Sequence, residues 1–160
     1  MKTMIKTSIL ILSAWLMMSV HAQAADFAWM NSKGETHTFV EAYQGQPVLV
    51  HFWASWCPPC VAEMPEMSAW LEKHPEVKIL PVSLDRTLED AQTFLQEQHI
   101  PLRALLTTSS QAGRMGVRGL PTSILVRADG TIQGAYVGAQ DWQYQPWQDE
   151  VLRLFAPKVQ

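Results

Sequence analysis

Cys57 and Cys60 are the only thiols in the chain, and they stand two residues apart in the segment Phe52-Trp53-Ala54-Ser55-Trp56-Cys57-Pro58-Pro59-Cys60. A Cys-x-x-Cys pair can close a small disulfide ring and reopen it by thiol-disulfide exchange. Before it runs Pro47-Val48-Leu49-Val50-His51-Phe52-Trp53, an apolar run of strand length, and after it residues from about Pro59 to Lys73 read as a helix. Cys57 therefore falls where unsatisfied N–H groups and the positive end of the helix favour a thiolate, and Cys60, one turn in, is better shielded. Cys57 is the expected nucleophile and Cys60 the resolving thiol.

Two other uses of the pair are open to a sequence of this kind. A structural zinc site wants four soft ligands, but there is no second cysteine pair and His37, His51, His74 and His99 are scattered, so no metal site is expected. An inert bridge suits an oxidising compartment, although so short a loop constrains the unfolded chain little. Pro58 and Pro59 bear on the direction of exchange. Neither has an N–H, so only Cys60 and later residues can donate backbone hydrogen bonds to the Cys57 sulfur. A less stabilised thiolate means a more negative reduction potential, which points to a reductant.

The elements that must position this pair alternate between strands and helices. A hairpin is expected from Phe27–Met30 and Thr36–Phe39 around Asn31-Ser32-Lys33-Gly34, and a second buried strand over Val77–Leu84. The helix after the cysteines turns Val61, Met64, Met67, Trp70 and Leu71 inward, with a kink expected at Pro65. Thr87-Leu88-Glu89-Asp90 starts a capped helix; Leu102–Leu106 reads as a strand and Ser109–Met115 as a short helix. Thr122–Val126 and Thr131–Val137 alternate about Asp129-Gly130 as a hairpin, and a last helix ends near Phe155. The sum is an α/β fold, a central mixed sheet covered by helices with an N-terminal β-hairpin. The methionines left in the mature chain read as packing residues, and Trp142, Tyr144 and Trp147 as either packing for the last helix or a partner surface.

Composition narrows the class further. With 160 residues, 48% hydrophobic and 17% charged, the chain can build one core, and it is neither disordered nor a disulfide-stapled miniprotein. A net charge of −3 with no basic cluster leaves no phosphate-binding surface, so nucleic acid is not an expected partner. Lys2 and Lys6, the uncharged stretch from Thr7 and the small-x-small Ala22-Gln23-Ala24 read as a secretory signal peptide over residues 1–24, leaving one domain over 25–160. An uncleaved anchor is the competing reading, against which His21 and Gln23 would lie inside the bilayer. Loss of Lys2 and Lys6 takes the net charge from −3 to −5. Either way the domain is expected outside the cytoplasm, in the periplasm.

The motifs in order resemble the thioredoxin superfamily: Phe52 to Cys60, then Glu63 and Pro65, then Gly119-Leu120-Pro121-Thr122 and Asp129-Gly130. More narrowly they resemble its extracytoplasmic thiol-disulfide oxidoreductases of the TlpA, ResA and CcmG/DsbE type, over nearly all of residues 26–155. The resemblance implies a thioredoxin fold and a redox-active Cys57–Cys60 disulfide. It implies a cis-proline at Pro121 facing the dithiol, with Leu120 offering backbone groups to a substrate strand and Trp56 forming part of the docking surface, while Trp53 belongs to the core. Glu63 matches an acid near the dithiol that would move the proton of Cys60; a solvated helix glutamate is the plainer alternative. His51 departs from the pattern, since it stands where thioredoxins carry aspartate and this subgroup more often asparagine. It is either a proton acceptor for Cys60 or a neutral core histidine with hydrogen-bond partners. The resemblance further implies a monomer that needs no cofactor, acts on protein thiols and disulfides, including those of cytochrome c maturation, and is kept reduced by a membrane thiol reductant of the DsbD/CcdA type. A disulfide oxidase or isomerase, or a copper(I)- or thiol-binding chaperone, are the rival functions.

Overall fold

The computed structural model describes residues 27–43 and 45–156; the expected signal segment, residues 1–24, lies outside them. The central strand is β3 (Val48–Trp53), in which every residue is buried. An unbroken apolar run gives this pattern because the strand has helices on both faces. On one side β3 pairs in parallel with β4 (Ile79–Ser83), and β4 in turn with β5 (Leu105–Leu106); on the other it pairs antiparallel with β6 (Thr122–Val126). The hairpin partner β7 (Ile132–Val137) closes one edge, and β1 (Ala28–Met30) and β2 (Thr36–Thr38) close the other, giving the order β2-β1-β5-β4-β3-β6-β7. The expected mixed sheet with an N-terminal hairpin is what forms. Gly130, at φ 83°, takes the left-handed position that the tight turn between β6 and β7 requires.

Alternation along β3 divides the core in two. Leu49 and Trp53 face α2 (Pro58–Lys73), α3 (Leu88–Glu97) and α5 (Gln145–Phe155), whose Met64, Met67, Leu95 and Val151 pack on them. Val48, Val50 and Phe52 face the other way, onto Phe27, Phe39, Ala112 and Met115. The last three of these come from α1 (Phe39–Tyr43) and from α4 (Ser109–Arg114) with the residue that ends it. Trp53, Trp142 and Trp147 are core residues, whereas Tyr144 is exposed.

Two local expectations need correction. Phe39 opens the short helix α1 instead of extending β2, because its ring is needed against Phe27 in the core. The strand expected over Leu102–Leu106 shrinks to Leu105–Leu106. Leu49 N donates to Lys78 O, so by the alternation of a parallel ladder Lys78, Leu80 and Val82 bond β3 while Ile79, Pro81 and Ser83 face β5. Pro81 has no N–H to give β5, and pairing there is confined to Val82 and Ser83.

Candidate active site

The two cysteines sit where β3 ends and α2 begins, joined as a disulfide. Cys57 is the N-cap residue of α2 and is 5% exposed, while Cys60 in the first turn is fully buried. An incoming thiol or disulfide can thus meet only the first sulfur. The backbone donors at this helix end are few. Cys57 N is spent on Ala54 O at 3.2 Å, Pro58 and Pro59 have none, and Val61 N bonds Cys57 O at 3.0 Å, which leaves Cys60 N–H as the first-turn donor.

The loop that carries Cys57 is tied to β4. The buried carboxylate of Asp85 accepts from Ser55 N at 3.1 Å, from Ser55 Oγ at 2.7 Å and from Ser83 Oγ at 2.6 Å, and Asp85 N donates back to Ser83 Oγ at 2.8 Å. Leu84 N donates to Trp53 O at 2.8 Å. This anchor holds Trp56, 63% exposed, beside the disulfide. Across from it, the Leu120–Pro121 peptide is cis. That loop is secured by Thr122 Oγ1 donating to Gly119 O and by Gly138 N donating to Pro121 O, both at 2.8 Å. Between Trp56-Cys57-Pro58-Pro59 and Val117–Leu120 lies a cleft of about 440 Å³ that Leu84, Ser109 and Ala112 also line.

Beneath this surface, His51 and Glu63 meet. His51 is on the β3 face that α2 covers, and Glu63 comes from α2, one turn beyond Cys60. Both side chains are sealed from solvent, with His51 Nε2 3.9 Å from Glu63 Oε2. That distance is too long for a hydrogen bond, and both atoms lack any other partner. The opposite ends are held: His51 Nδ1 lies 3.0 Å from Ser123 Oγ, while Glu63 Oε1 accepts from Trp142 Nε1 at 2.8 Å and from Gln140 N at 3.0 Å. Burial pushes the Glu63 carboxyl above its ordinary range, outweighing these two donors, and burial drops His51 to about 4. Around neutral pH the histidine is uncharged, and the carboxyl keeps its proton to a higher pH than an exposed glutamate would.

The structure therefore brings Trp56, Cys57 and Leu120 around one cleft, with Pro121 buried behind Leu120 and outside its lining, and sets His51 and Glu63 together on β3 and α2. The solvated alternative for Glu63 is ruled out, because the side chain is buried. Asp85, Ser83 and Ser123 have no role in the sequence reading, Ser55 enters it only as part of the cysteine motif and Trp142 only as a packing or partner-surface residue; Asp85 follows a buried strand within three residues of its end, a signal open to many acids. Among the described residues no cluster of three or more His, Cys, Asp or Glu could hold a metal ion.

A dithiol at a strand-to-helix junction, opposite a cis-proline loop in a sheet of this order, defines a thiol-disulfide oxidoreductase with a thioredoxin-like fold. The chain belongs to the AhpC/TSA family, whose model matches residues 20–135. It is 28% identical over 126 residues to the thiol-disulfide oxidoreductase ResA of Bacillus thuringiensis, covering 77% of this chain and 72% of that one. It is also 28% identical over 114 residues to the sporulation thiol-disulfide oxidoreductase A of Bacillus subtilis, covering 67% and 69%. The crystal structure described as a thiol:disulfide interchange protein DsbE from Chlorobium tepidum superposes with a TM-score of 0.72 at 26% identity, over 84% of this chain and 96% of that one. The chain is thus an oxidoreductase of the ResA/DsbE type. No helix among the described residues is long and apolar enough to cross a membrane.

Proposed function

We propose that this protein is a periplasmic disulfide reductase, delivered by a signal peptide over residues 1–24, that opens disulfides in other proteins. The observation that carries the reading is an asymmetric dithiol, reachable at Cys57 and sealed at Cys60, on a helix whose first two residues are prolines. With so few donors the Cys57 thiolate is weakly stabilised, and a weakly stabilised dithiol gives its electrons away.

In the reaction, the Cys57 thiolate attacks one sulfur of a substrate disulfide bound against Trp56, Leu120 and Pro121. The substrate S–S bond breaks, and its other sulfur leaves and takes up a proton. The Cys60 thiol then loses its proton and attacks the Cys57 sulfur, which releases the second substrate thiol and closes the Cys57–Cys60 disulfide. Two electrons pass to the substrate. Glu63, in its deprotonated form, serves as the acceptor for the Cys60 proton, because burial raises its pKa toward that of a thiol; His51, lowered to about 4, is too weak a base for that step and faces Glu63 as a neutral imidazole. A membrane thiol reductant of the DsbD/CcdA type restores the dithiol, and the substrates are disulfides formed by apocytochrome thiols, by another oxidoreductase or by cysteines of metal sites. Working as a monomer, the protein needs no cofactor.

The test is trapping. Cys60→Ser should accumulate a mixed disulfide through Cys57 with extracytoplasmic proteins, and the wild type, supplied with dithiothreitol, should reduce insulin. A Cys60→Ser variant that traps nothing, with a wild type inactive on insulin, contradicts the proposal.

A further inference from the structure

The cleft beside Cys57 continues past the dithiol. Leu84 and Ser109 line it and also line a second hollow of about 430 Å³ that reaches β1, so a single trough runs from Cys57 toward Trp29 and Met30. Three ionisable side chains border this trough: Arg118 near Cys57, and Asp85 and Arg86 further along. Asp85 is buried and its carboxylate is committed to Ser55 and Ser83. Arg86 and Arg118 are exposed, and among the described residues neither has an acidic partner. On a chain with a net charge of −3, the trough is locally basic.

Two uncompensated guanidinium groups beside an apolar, redox-active cleft select for carboxylates, which they bind through paired N–H donors. We propose that the trough takes an extended polypeptide whose cysteine reacts at Cys57 and whose aspartate or glutamate side chain, within a few residues of that cysteine, pairs with Arg118 and Arg86. This inference rests on the exchange reaction proposed above and names its class of substrate. Trp56 and Leu120 accept the apolar residues beside the reacting cysteine, and the two arginines set which polypeptides arrive fastest, since charges at the rim of an interface act mainly on the association rate.

The test uses the reduced full-length protein and short peptides in which a single cysteine is disulfide-linked to thionitrobenzoate, flanked by Glu, Gln or Lys. Cys57 attacks the peptide sulfur and thionitrobenzoate leaves as a coloured thiolate; Cys60 loses its proton, attacks Cys57 and frees the peptide thiol. At low ionic strength the Glu peptide should react about fivefold faster than the Gln peptide, and the Lys peptide slower still. The Glu-over-Gln ratio should fall to near one in about 0.5 M salt, where the screening length is roughly 4 Å. It should also fall in Arg118→Gln, in Arg86→Gln and furthest in the double variant, each first shown by thermal unfolding to be folded. Equal rates for Glu and Gln peptides in the wild type, or a preference that survives in the double variant, overturns the proposal. So does oxidised glutathione reacting as fast as the Glu peptide, because a small acidic disulfide would then be the occupant. If no peptide reacts while dithiothreitol still reduces the Cys57–Cys60 disulfide, the exchange reaction itself fails, and this inference with it.

Discussion

At the scale of single residues, the buried facing of His51 and Glu63 is the feature with the most chemical consequence. Each has one end tethered and one end without a partner, and the two free ends face each other across 3.9 Å. Their titrations act on stability with opposite signs. His51, lowered from 6.5 to about 4 by burial, binds its proton more weakly folded than unfolded, so its burial removes stability as pH falls from 6.5 toward 4, about 3 kcal/mol in all. Glu63, raised by burial, binds its proton more tightly folded than unfolded. Its contribution is fully present below the unfolded value of 4.5 and is lost as pH rises through the higher folded value. Glu63→Gln removes that loss while keeping an oxygen for Trp142 and Gln140, so its stability advantage over the wild type should grow with pH above 4.5. Thermal midpoints of both proteins between pH 4.5 and 8 check this; a difference independent of pH would mean that Glu63 is not held protonated by burial. The cysteine pair and the proline pair were legible in the sequence, since their spacing alone fixes a turn of helix. The partners of Glu63 were not. Trp142 lies 79 residues away from it, and only the return of the chain after β7 brings the indole onto the carboxyl.

At the scale of elements, the site depends on how β3, β4 and α2 are coupled. Asp85, just past β4, accepts hydrogen bonds from Ser55 in the active-site loop and from Ser83 at the end of β4, so it does for the Cys57 loop what a cap does for a helix. Asp85→Ala would strand Ser55 N–H and two serine hydroxyls in a largely buried place, and we expect a loss of about 2–3 kcal/mol together with slower exchange at Cys57. Denaturant unfolding and the rate of disulfide opening by dithiothreitol measure the two effects; a variant as stable as the wild type would remove Asp85 from the account. Strands β3 and β6 and helix α2 were legible because β3 is a mostly apolar run of strand length, β6 leads into the turn at Asp129-Gly130, and α2 repeats Val61, Met64, Met67, Trp70 and Leu71 at helical spacing. The shortness of β5 was not, because it follows from Pro81 on the neighbouring strand, and a proline read along its own strand does not say which neighbour it faces. Helix α1 was likewise hidden: five residues are too few to display a helical period, and it is Phe39 packing on Phe27 that shapes them.

For the whole molecule, two apolar layers on either face of a single sheet hold the disulfide at the C-terminal end of the central strand, where parallel α/β sheets place their chemistry. The architecture provides one reachable sulfur, one sealed sulfur, a buried histidine facing a buried glutamate on the elements that flank the pair, and a basic trough alongside. What the architecture does in exchange depends on the thiolate stabilisation left at a helix end with two prolines. The reduction potential of the Cys57–Cys60 pair, measured against glutathione or dithiothreitol buffers, tests that claim most directly. We predict a value near or below about −220 mV, toward the thioredoxin end of the range, as a reductase with a dedicated electron donor requires; a value near −120 mV would mark an oxidant and contradict the account.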